Sequence, residues 1–235
     1  RGLTNIRNAI ENGEKYDATG VLTTCWGDRG FYQSYPNAFP AFVYSAGMSW
    51  CVETNREANV VSLLTRFVYQ DPTQITAELV SEIGNAYCVP DGFYNGNTSY
   101  LARALLDPEM PLADNHFKWL TPAKVAEIRA HVHQTMRPID DARPRSEDAA
   151  WVVAEIRHSA ELVLLACDVL DARLAAEAGK LSHAPAEVRQ AIRTRLRAAL
   201  EVHQKLWLQR NRIGGLSDSI ARMDALLENL ETTEK

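Results

Sequence analysis

The 235-residue chain has little that would tie it to a membrane, a nucleic acid or an oxidising compartment. No apolar run approaches the roughly 20 residues that span a bilayer, and no signal-like segment opens the chain. Positive charge is not in excess. Lys and Arg number 25 against 30 Asp and Glu, a net charge of −5, whereas a nucleic-acid surface calls for clustered basic residues. Only four cysteines occur, Cys25, Cys51, Cys88 and Cys167. They are far apart, with no Cys-x-x-Cys pair and no matching histidine spacing, which argues against a zinc site. Each lies among apolar or small residues, a setting that favours buried free thiols in a reducing, cytoplasmic compartment over a disulfide pair. Internal repeats and low-complexity segments are also missing. The chain opens on Arg1 rather than Met, directly in a helix-like pattern, as a piece of a longer polypeptide would, or a chain from which a tag has been removed.

What is present falls into two textures. Apolar residues make up 46%, enough for a sizeable core. Residues 1 to about 52 are mixed and rich in Gly, Trp and Tyr. Asn5–Tyr16 carries Ile6, Ala9, Ile10 and Gly13 at helical spacing. Gly20-Val-Leu-Thr-Thr-Cys25 is a short β-branched run, a buried strand by composition. Trp26 to Pro36 is too rich in glycine and aromatics for a regular element, and Phe39–Trp50 resumes as an apolar helix. The order helix, strand, aromatic loop, helix is that of one βα unit preceded by the helix of the previous unit.

From Asn55 onward the pattern is helix after helix, near 55–70, 73–87, 97–106, 121–136, 146–179, 184–212 and 216–231. Asp71-Pro72, Val89–Gly92, Asp107-Pro108 and Met136–Pro138 punctuate them. Thr121-Pro122 is a good helix start. The last three helices carry apolar stripes. Val152, Ile156, Val163, Cys167 and Leu170 mark the first, Ile192, Leu196 and Ala199 the second, and Ile220, Met223 and Leu227 the third. Together they predict an antiparallel bundle over 146–231. The expected fold is mainly α: the last βα unit of a (β/α)8 barrel over 1–54, then an all-α domain over 55–235. One strand cannot form a sheet, because its amides and carbonyls need neighbours on both sides. Other chains, or residues preceding this stretch, would have to supply them.

The residues suited to chemistry cluster where the expected strand meets the loop. In an α/β barrel that is the substrate face. Trp26 offers a flat apolar wall for the CH face of a sugar ring. Asp28 offers two acceptor oxygens to hydroxyl groups. Tyr32 and Tyr35 extend the wall. The bland alternative is a core tryptophan followed by a turn aspartate.

Asn5–Ala9, Gly20-Val-Leu-Thr-Thr-Cys-Trp-Gly-Asp-Arg-Gly30, Tyr35-Pro36 and Ala46-Gly-Met-Ser-Trp50, in this order, resemble the end of the catalytic barrel in bacterial β-N-acetylhexosaminidases of glycoside hydrolase family 20. The likeness continues through Phe67–Pro72 and Gly84–Tyr87 to Trp207–Ser219, similar to the end of a helical C-terminal domain in one branch of that family. It implies removal of terminal β-linked N-acetylglucosamine or N-acetylgalactosamine from glycans. An adjacent Asp-Glu pair on a middle barrel strand would act with the substrate's own acetamido group as nucleophile. It implies no metal and no organic cofactor. By the same likeness Trp26 lines the pocket of the terminal sugar and Asp28 hydrogen-bonds its 4- or 6-hydroxyl, with Tyr32 beside them as part of the aromatic wall. The chain has Cys25 where the family has an acid and Phe31 where it has histidine, so a glycosidase of different sugar specificity stays open, as does a non-catalytic helical interaction module.

The catalytic pair itself is not among these residues. Asp140-Asp141 and Glu147-Asp148 lie at a linker and a helix start, where acids complement the helix dipole. His131 and His133 stand two apart on a helix and do not face one way. His158 and His203 interrupt amphipathic helices singly. Trp207, Arg210 and Arg212 read as a contact between domains or subunits. Phe39, Phe42, Val43 and Tyr44 are expected to be exposed and to drive self-association, for example as a homodimer.

Overall fold

Caps and prolines place the helix boundaries. The structure is a computed structural model that describes residues 2–90 and 98–231. The Asp91-Gly92 half of one expected break, and Asn97 at the start of an expected helix, lie outside those residues. Ten α-helices occur among them: α1 (Gly2–Lys15), α2 (Phe39–Trp50), α3 (Val52–Asn55), α4 (Val60–Leu63), α5 (Ile75–Asn85), α6 (Tyr100–Leu106), α7 (Pro122–Met136), α8 (Ala149–Ala175), α9 (Ala186–Arg210) and α10 (Leu216–Glu231). Thr121 caps α7 by accepting the Lys124 amide at 3.3 Å, with Pro122 in the first turn. Ser99 does the same for α6, accepting the Ala102 amide at 3.1 Å. The single helix expected over 55–70 is broken. Asn59 turns its side-chain oxygen on the Ser62 amide and starts α4 afresh, and the chain then passes through a π-helical turn over Leu64–Tyr69.

The long helices form the bundle that their apolar stripes predict. Residue pairs across α8 and α9 run in opposite senses, Glu155 to Arg210, His158 to His203 and Glu161 to Arg195, so the two are antiparallel. Ser219 to His203 and Glu231 to Arg193 show the same for α9 and α10. Leu165, Ala166, Cys167, Val169 and Leu170 are fully buried on α8, against Leu196 of α9, Met223 and Leu226 of α10, and Tyr100 and Leu105 of α6. A second cluster gathers Leu64, Tyr69, Leu79, Val80, Val152 and Ile156. A third joins Ile10 of α1 to Tyr44 and Met48 of α2.

Asp71 holds the start of α5 in place. Its Oδ1 accepts from the Thr73 amide at 2.9 Å and hydroxyl at 2.6 Å. Its Oδ2 accepts from the Thr76 amide at 3.0 Å and hydroxyl at 2.6 Å. Burial alone would raise its pKa. These hydrogen bonds outweigh burial and hold the carboxyl down at about 2. Asp71→Ala should cost about 2 kcal/mol of stability at neutral pH, because it removes the cap and strands two buried donors. The folded pKa lies below the unfolded one, so this contribution is complete above about pH 4 and fades as pH falls toward 2. Urea unfolding of both proteins at pH 7 and near pH 2 should show the gap narrowing; an equal gap at both would contradict this account.

Three expectations need correction. The run Gly20–Cys25 is not a strand. Residues 18–27 run without turn or bend but pair with no other segment among the described residues. A β-branched run becomes a strand only when a neighbour takes its hydrogen bonds, and the fold provides none. Val21 and Leu22 are exposed, Leu22 at 86%. Second, the apolar face of α2 is not bare. Tyr44 is buried, and Phe39 and Val43 pack on the cluster around Tyr69. The large apolar side chains left in solvent include Trp26, Trp50, Tyr16 and Phe67. Third, of the four thiols, all free, only Cys167 is buried; Cys25 and Cys88 are exposed. No helix among the described residues is long and apolar enough to cross a membrane.

Candidate functional site

The turn after Trp26 is the most strained backbone of the described structure. Gly27, Arg29, Gly30 and Phe31 all have positive φ, from 54° to 86°. For Arg29 and Phe31 this costs about 1–2 kcal/mol each. The Phe31 amide closes the turn on the Gly27 carbonyl at 2.9 Å. The Phe31 ring folds back over Gly27 so closely that a Cβ there would lie 2.0 Å from it. Only glycine fits at that position.

This turn forms one wall of a cleft of about 920 Å³. Trp26, Asp28 and Tyr32 all line it, together with Thr24, Cys25 and Gln33. Trp26 is 83% exposed, so its indole faces solvent and not the core. Tyr32 leans on the main core. Tyr35 does not line the cleft; it packs among Phe31, Phe39 and Phe42. The opposite wall comes from the helices: Ile83, Gly84 and Tyr87, then Thr98 and Ser99 at the start of α6, and Ser159, Leu162 and Val163 on α8. Asn5 and Asn37 complete the rim. Asn37 donates from Nδ2 to Ser159 Oγ at 3.0 Å, and Ser159 donates to the Glu155 carbonyl at 2.9 Å.

The chemistry of the lining is that of recognition. Amides, hydroxyls and aromatic rings surround one carboxylate, Asp28, among the described residues that line it. A single carboxylate cannot serve as acid and base across a glycosidic bond. Among the described residues no three His, Cys, Asp or Glu side chains gather as metal ligands would. No family model, curated protein or solved structure matches the chain.

The remaining sequence candidates lie away from the cleft. Asp140 pairs on the surface with Arg157 at 2.5 Å. Asp148 pairs with Arg210 at 2.7 Å. His131 contacts the Glu82 carbonyl at 3.2 Å. Arg210, read as a contact to another domain or subunit, instead grips acids of its own bundle. Its Nε and Nη2 each reach a Glu155 carboxylate oxygen at 2.6 Å. Trp207 donates to the Arg212 carbonyl at 2.8 Å and lies tilted beside the His203 ring. His158 and His203, single in the sequence, lie against each other with ring centroids 5.5 Å apart and planes tilted by 37°, and His203 Nε2 meets Ser219 Oγ at 2.9 Å. Neither nitrogen of His158 has a hydrogen-bond partner. Burial, with the neighbouring His203 ring, pushes the His158 pKa down to about 4.

The helical side of the cleft is what sequence reading missed. Tyr87, Ser99 and Ser159 are unremarkable hydroxyl residues near or within helices, and they line the same cleft as the turn only through the tertiary packing of the helices.

Proposed function

We propose that this chain is the C-terminal part of an exo-β-N-acetylhexosaminidase of the family 20 kind. In this reading Trp26, Asp28 and Tyr32 bind the terminal N-acetylhexosamine, and the catalytic Asp-Glu pair belongs to residues that precede this stretch. One observation supports the reading: Trp26 and Asp28, picked out by resemblance, lie with Tyr32 on one wall of a single cleft, with the indole turned outward. The run 18–26, with exposed Val21 and Leu22 and no strand pairing among the described residues, also suits a segment that pairs with further strands.

In the proposed site Trp26 stacks on the CH face of the sugar, and Asp28 accepts hydrogen bonds from ring hydroxyls. The leaving-group proton and the attack by the acetamido oxygen are handled elsewhere, so these residues bind and orient and do no proton transfer. Losing hydrogen bonds to a charged acceptor costs about 1.5–3 kcal/mol. The complete gene product should hydrolyse p-nitrophenyl N-acetyl-β-glucosaminide, and Asp28→Ala should lower kcat/KM by about 10- to 100-fold. Turnover like wild type in that variant would remove Asp28 from the pocket, and failure of the intact protein on any β-linked hexosaminide would remove the activity.

A second reading, a helical interaction module, draws on the core that α6 to α10 build among themselves. It expects this chain to melt cooperatively as a monomer with its Trp26 turn indifferent to sugars, which circular dichroism and light scattering with and without N-acetylglucosamine can check.

A further inference from the structure

Trp26 meets solvent with most of its surface, so packing of its own side chain does not fix its direction. Direction has to come from the turn beneath it, and that turn is strained. Left-handed conformations at Arg29 and Phe31 persist only where the surroundings impose them.

Two contacts impose them. The first is ionic. Asp107, the residue that closes α6, accepts from Arg29 at Oδ1. Arg222 of α10 reaches the same oxygen at 3.3 Å, and Arg103 of α6 reaches Oδ2 at 3.3 Å. One carboxylate thus holds together three guanidinium groups from three parts of the chain. Neutralising it would leave three like charges close together. The second contact is steric. A Cβ on Gly30 would stand 2.5 Å from the Asp218 carbonyl oxygen and 2.8 Å from Ser219 Cα, so the turn lies directly on the backbone at the start of α10. Ser219 is held in turn by His203.

We propose that Asp107 is a positioning residue for Trp26 and Asp28. Acting through Arg29, with the start of α10 as the seat of Gly30, it holds the turn in the conformation that presents the indole and the carboxylate to the cleft. The C-terminal helix is thereby part of the binding apparatus without lining the cleft. The role in sugar binding rests on the hexosaminidase reading; the clamp on the turn does not.

The test is ¹⁹F NMR of the 235-residue chain labelled with 5-fluorotryptophan, the Trp26 signal being assigned by Trp26→Phe. Asp107→Asn and Arg29→Gln should each shift or broaden the Trp26 resonance while most of the other four tryptophan signals stay in place. Asp107→Glu, which keeps the charge, should return it toward wild type. Titration with N-acetylglucosamine should show binding weakened about tenfold or more in Asp107→Asn and in Gly30→Ala. If Asp107→Asn fails to fold, Arg29→Gln decides, because it leaves α6 and α10 intact. A Trp26 resonance unmoved in the folded variants overturns the proposal. A resonance that follows Asp107 in a chain that takes up no N-acetylglucosamine upholds the clamp and counts against the sugar site.

Discussion

Arg210→Met should lower folding stability by about 3–5 kcal/mol, a large part of what a domain of this size possesses. The Glu155 carboxylate is only 4% exposed, and both its oxygens are held by Arg210 at 2.6 Å. Burial raises the Glu155 pKa above its ordinary value, against the pull of the guanidinium. Without Arg210 the acid is left in an apolar setting near the Tyr69 hydroxyl, which itself has no partner. Most of the cost therefore comes from the stranded charge and not from the lost attraction. It follows that Arg210→Met with Glu155→Met should recover much of the loss, since the most deeply buried charge is then gone, while Asp148, 28% exposed and paired with Arg210 at 2.7 Å, still loses its partner. Urea midpoints for the two single variants and the double variant measure this. A double variant as unstable as the single ones would show that packing, not charge, is what the pair provides.

Acid should weaken the protein well before its carboxylates titrate. His158 is 3% exposed, and its folded pKa of about 4 lies below the ordinary 6.5. The unfolded chain takes up the proton more readily, so the stability linked to this group is complete above about pH 6.5 and is lost as pH falls toward 4. The difference of about 2.5 units corresponds to about 3 kcal/mol. His203, also pushed down by burial, acts in the same sense. His158→Phe keeps a ring against His203 and removes two buried nitrogens that lack partners. It should flatten the pH dependence between 6.5 and 4 and add about 1 kcal/mol at pH 7. Urea unfolding of both proteins at pH 7, 5.5 and 4.5 separates this window from the lower one of Asp71. Equal slopes in wild type and variant would assign the acid sensitivity to other groups.

The helices were readable because their information is local. Thr121-Pro122 opens α7, and the stripe from Val152 to Leu170 is buried on α8, since a cap or a 3.6-residue period acts within a few turns of chain. The Gly20–Cys25 run misled for the complementary reason. Its β-branched residues state a preference, but a strand exists only with a partner, and the described residues contain none. The same limit applies to the cleft. Trp26, Asp28 and Tyr32 could be singled out as residue types suited to a sugar, whereas Tyr87, Ser99 and Ser159 on the facing wall carry no such mark.

By itself, then, the chain's order of residues determined most of the helical segments and the irregular aromatic stretch after Trp26, all set by neighbours a few positions apart. Tertiary packing alone decided that His158 meets His203, that Arg210 closes on Glu155, and that Asp107 gathers Arg29, Arg103 and Arg222. Apart from Arg103, these partners lie tens of residues apart, and charge and ring contacts act through space only after the helices have docked.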